Sequence, residues 1–174
     1  AVSTAHPDLE TCVVAMNDPG GSYDYPGAVR FQIAEETTDN YARAADFLNA
    51  ERFDVVCLQH EYGIFGGAAG EHITELLKRL TMPIVTTLHT VLPAPTLAQY
   101  NVISKIIARS TKVVVMAEKG REFLRSVHDL SPQKIEVIPH GIPDFPFLET
   151  NHAKTKFGFS GRTSGVCRLI TISM

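Results

Sequence analysis

Three short apolar runs in this chain end on a histidine. His60 follows DVVCLQ, His89 follows PIVTTL, and His140 follows KIEVIP. An imidazole at the end of a buried strand is either a satisfied core group or the floor of a site. There it can hydrogen-bond a hydroxyl or phosphate oxygen, or orient a group at a reacting centre. His89 has Thr90 beside it, a second hydroxyl-binding side chain. Glu61 follows His60, and two adjacent residues at a strand end point opposite ways. The segment QHEYGIFGGAAG then supplies Gly63, Gly66, Gly67 and Gly70. Such residues admit close backbone approach, and a helix start just beyond offers free N–H groups to phosphate or sugar hydroxyls. The spacing is not GxGxxG, so a dinucleotide reading is weak, and a tight strand-to-helix turn explains the glycines equally well. His140 and Gly141 sit between Pro139 and Pro143, which suits either a hinge or a plain turn. The seven histidines are scattered without ligand spacing, so no metal site is expected. No GxSxG nucleophile elbow occurs.

Composition narrows the partners. The chain has 174 residues, 44% hydrophobic and 20% charged, as a globular domain does. A net charge of −3 gives no electrostatic footprint for nucleic acid. No apolar run approaches the roughly 20 residues of a membrane span. The N-terminus, AVSTAHPDLET, has no basic segment followed by an apolar one and does not read as a signal peptide. Cys12, Cys57 and Cys167 cannot all pair within one chain, and none stands in a CxxC. The first two lie in strand-like runs as small apolar residues. A reducing, cytoplasmic location is therefore expected.

The elements that must position these residues alternate along the chain. TCVVAM (11–16), AVRFQI (28–33), FDVVCLQ (53–59), PIVTTL (83–88), KVVVMA (112–117) and KIEVIP (134–139) read as strands. Between them, TDNYARAADFLNA places Tyr41, Ala44, Ala45 and Leu48 on one helical face, with Thr38 or Asp39 as the N-cap. EHITELLKRL, TLAQYNVISKIIARS and EKGREFLRSVH complete the helices. Solid Val/Ile/Leu strands suggest burial on both faces, as in a parallel sheet between helices. Strand–helix repetition at this spacing predicts an open, mostly parallel, doubly wound α/β sheet with helices on both faces. In such sheets ligands bind beyond the carboxyl ends of the strands, where all three histidines fall.

Domain organisation follows from composition. Residues 1–139 form the α/β domain, 140–162 a Pro- and Gly-rich linker or hinge, and 163–174 an unassigned strand-like tail. The first strand arrives at residue 11 without a preceding βα unit, so a first βα unit is expected to be missing. The chain is expected to be part of something longer.

Four ordered segments, VVCLQHEYGIFGGAAG, PIVTTLHTVLPAP, VVVMAEKGREFL and KIEVIPHGIPDFPF, resemble the N-terminal half of group 1 (family-four) retaining glycosyltransferases. The likeness runs from about Thr11 to about Arg162. It implies one Rossmann-like half of a GT-B architecture, the acceptor-side domain. It also implies transfer of a sugar from a nucleotide-sugar donor to an acceptor hydroxyl with retention. On the resemblance, His89 is the active-site histidine, acting by position more than as a general base. His60, Glu61, Gly63, Gly66, Gly67 and Thr90 would line the substrate cleft, and His140 and Gly141 would enter the interdomain linker. No metal or resident cofactor is implied, since the nucleotide sugar is a substrate.

Where the sequence departs from the family, it lacks the first strand with its glycine-rich loop and the donor domain that should follow residue 162. The isolated chain is accordingly expected to be inactive and to self-associate through exposed surface. Two alternatives use the same residues: a non-catalytic glycan- or phosphate-binding module, and one subunit of a split glycosyltransferase.

Overall fold

A computed structural model describes residues 8–141. The elements run β1 (Val13–Asn17), β2 (Val29–Ala34), α1 (Thr38–Glu51), β3 (Val56–His60), α2 (Ile73–Arg79) and β4 (Ile84–Leu88). They continue with α3 (Leu97–Arg109), β5 (Lys112–Val115), α4 (Glu118–His128) and β6 (Ile135–Val137). Single 3-10 turns at Ala68–Gly70 and Pro132–Lys134 precede α2 and β6. All six expected strands and all four expected helices are present. The expected linker beyond Gly141 and the strand-like tail at 163–174 lie outside the described residues, as does Cys167.

Every strand pair is parallel. β1 pairs with β2 in a two-stranded sheet, and β3, β4, β5 and β6 pair in that order in a four-stranded one. In the larger sheet Leu58 lies beside Thr86, Thr86 beside Val113, and Val113 beside Ile135. This row is buried, together with His60, Ile84, Leu88 and Val115. The helices meet the sheets on this face. Phe47 of α1 stacks on Phe31 of β2, Ser110 after α3 bonds Thr86, and Gly120 of α4 lies against Val115. Helix α2 packs between α1 and α3.

The alternate residues are open. Cys57 and Gln59 of β3 and Glu136 of β6 are exposed, while Val85, Thr87 and Val114 between them are half-buried. Burial on both strand faces, expected from the solid apolar runs, is therefore not reached in β3. Cys57 is an exposed free thiol there, not the small core residue its neighbours suggested. A second helical layer for this face does not occur among the described residues.

Local sequence accounts for the helix ends. Helix α3 starts with a reciprocal capping box: Thr96 accepts from the Gln99 amide and the Gln99 side chain accepts from the Thr96 amide. Helix α1 starts one residue before the expected caps. Thr37 is the N-cap, in extended backbone and without a side-chain cap bond, so Thr38 and Asp39 fall inside the first turn. Asp39 still places a negative charge at the positive end of the helix.

Candidate functional site

Strands β3 and β4 end side by side, His60 opposite Leu88, and their ladder continues one bond further: the His89 amide donates to the His60 carbonyl at 3.0 Å. That bond carries His89 and Thr90 past the carboxyl end of the sheet beside Glu61. Two side-chain braces then tie the strand ends together. Gln59 and His89 meet at 3.0 Å between Oε1 and Nε2. The Thr90 hydroxyl donates to Glu61 Oε2 at 2.8 Å, while Glu61 Oε1 accepts from the Tyr62 amide at 2.9 Å. His140, three residues past β6, places its ring centroid 6.4 Å from that of His89. His89 and His140 are exposed, and Glu61 and Thr90 half-buried. Four expected site residues therefore gather in one place.

His60 goes elsewhere. Its parity puts it on the helix-covered face, fully buried, stacked on Phe65 at 5.7 Å and edge-on to Tyr62 at 5.3 Å. Neither ring nitrogen has a hydrogen-bond partner among the described residues. Burial pushes its pKa down to about 4; the Glu61 carboxylate opposes that shift and His89 adds to it. At neutral pH His60 is thus an uncharged ring in an apolar cage.

The glycine segment is fastened to the start of α1. The Tyr41 hydroxyl donates to the Glu35 carbonyl at 2.9 Å and accepts from the Gly66 amide at 3.1 Å. The ring of His72 reaches the same carbonyl through Nδ1 at 3.2 Å. A Cβ on Gly66 would stand 2.1 Å from that carbonyl oxygen, so only glycine fits. Gly67 abuts the His72 ring, whereas Gly63 is exposed with open space around it. Gly141 is exposed.

Reasoning from the sequence missed Gln59, Tyr41 and His72. Gln59 carried a signal, since period-two counting puts it on the same face as Thr87 and diagonal to His89. Tyr41 and His72 carried none, because their partners are backbone groups brought close only by the fold.

Two surface depressions of about 450 and 370 Å³, lined around Arg125 and Asp129 and around Lys78 and Lys105, include none of these site residues. No group of three or more His, Cys, Asp or Glu among the described residues could hold a metal ion. No described helix is long and apolar enough to cross a membrane.

A parallel α/β layer with polar side chains collected at the carboxyl ends of its strands defines a Rossmann-like domain. Residues 8–144 match Glycosyltransferase Family 4, the N-terminal domain of group 1 glycosyltransferases, and the chain belongs to that family. A glycosyltransferase-type function follows at the level of the family. No curated protein sequence matches the chain.

Proposed function

We propose that this domain is the acceptor-side half of a GT-B enzyme that moves a sugar from a nucleotide-sugar donor to an acceptor hydroxyl with retention. One observation supports it most: His89, Thr90, Glu61 and His140 meet at the carboxyl ends of parallel strands in a chain of this family. Imidazole, hydroxyl and carboxylate groups at one spot match a polyhydroxylated ligand, which offers donors and acceptors at short spacing.

The protein's part in this chemistry is positioning and electrostatics. Glu61 already accepts from Thr90 and the Tyr62 amide, so its carboxylate serves as a brace more readily than as a base. His89 stands exposed at the strand end, held by backbone and by Gln59, and is the group that meets the ligand. The nucleotide would be gripped by a separate donor domain. The 174 residues alone would turn over no nucleotide sugar, and they need no metal.

Amide and imidazole NMR of the labelled chain, titrated with an oligosaccharide panel and separately with nucleotide sugars, tests this reading. Shifts confined to residues 59–63, 89–91 and 140 are expected with hydroxyl-rich ligands. Silence there, or turnover of a nucleotide sugar by the isolated chain, would sink it. Retention is checked on the complete gene product, from the anomeric configuration of its product.

A further inference from the structure

We infer that Gln59 is the positioning residue for His89 and that it fixes which ring nitrogen is available to a ligand. The side chain bridges strand β4 on the open face of the sheet: Oε1 lies 3.0 Å from His89 Nε2, and Nε2 of the same amide donates to Thr87 Oγ1 at 3.4 Å. An amide oxygen can only accept, so the bond requires a proton on His89 Nε2. A neutral imidazole carries one N–H, which leaves Nδ1 as a lone-pair acceptor. His89 then accepts a hydrogen bond from a ligand hydroxyl instead of donating one to a carbonyl or phosphate oxygen.

In this orientation both ends of the Gln59 amide are paired, its oxygen with a ring N–H and its nitrogen with a hydroxyl oxygen. The reversed amide would instead donate to an unprotonated His89 Nε2 and accept from the Thr87 hydroxyl, so the ring tautomer reports which orientation holds. The exposed setting of Gln59 gives it no packing role that would account for it otherwise. The inference rests on the reading of His89 as the ligand-meeting group, but its chemistry is visible without a ligand.

Long-range proton–nitrogen NMR of the histidine rings at pH 8 reads the tautomer directly, with His89→Ala used only to assign the signal. The wild-type chain is expected to show His89 with its proton on Nε2. Gln59→Leu is expected to lower the ratio of Nε2–H to Nδ1–H forms about three- to tenfold, the range one lost hydrogen bond gives. Gln59→Glu keeps the acceptor oxygen and restores the ratio. A wild-type His89 protonated on Nδ1, or an unchanged ratio in Gln59→Leu, would overturn the assignment. The wild-type spectrum needs no variant, and the exposure of Gln59 lets the substitutions be checked by circular dichroism. Should the tautomer behave as stated while every saccharide titration is silent, the proposed function fails and this assignment stands.

Discussion

At the scale of single residues, the two histidines that end neighbouring strands have opposite fates because of parity. His89 emerges on the open face and His60 enters the core, although the sequence presents them alike. Burial of His60 has a consequence for stability. Its folded pKa of about 4 lies below the ordinary value near 6.5, so the fold favours the neutral ring. Its contribution is complete above pH 6.5 and is lost as pH falls through 4, where the unfolded chain binds a proton that the folded one refuses. The loss amounts to about 3 kcal/mol. Urea unfolding at pH 7 and pH 4 should show wild type losing about that much more than His60→Leu. Equal losses in the two proteins would mean that His60 does not titrate this way.

At the scale of elements, the glycine segment works as a clamp on the turn before α1. Tyr41, His72 and Gly66 converge on one carbonyl, that of Glu35. Gly66→Ala forces a methyl group into that oxygen and should destabilise the domain by about 3 kcal/mol, as overpacking does at its upper range. Tyr41→Phe leaves the buried Gly66 amide without its acceptor and should cost about 2 kcal/mol. Because both act through one contact, the double variant should fall short of the sum. Full additivity in chemical denaturation would separate the two effects and disprove the clamp. The elements themselves were legible from periodicity: the expected 118–128 helix coincides with α4, and the strands lie within three residues at either end. The T-x-x-Q signal of the α3 capping box was also there to be read. The clamp was not, since its receiving group is a main-chain carbonyl that no residue type reveals.

At the scale of the whole molecule, parallel pairing was legible from strand–helix alternation, but its division was not. Which strands pair is decided by contacts between segments far apart in sequence, and each apolar run looks equally able to join one sheet. Among the described residues β1 pairs only with β2, while β4 and β5 each have neighbours on both sides. Packing follows the same division. Ile84, Thr86, Leu88, Val113 and Val115 are at most 1% exposed, whereas in β1 and β2 only Ile33 reaches that level and Val14, Met16 and Phe31 are half-buried. Regions with fewer buried contacts open at lower free energy than the global transition. The β1–β2 pair should therefore open without unfolding the β3–β6 sheet, since Val14, Met16 and Phe31 are only half-buried where they pack on the core and only Ile33 of its described residues is fully buried. Hydrogen exchange at neutral pH should find β1 and β2 amides exchanging at least about tenfold faster than those of β4 and β5. Protection that is uniform across all six strands would show that the two sheets unfold as one cooperative unit.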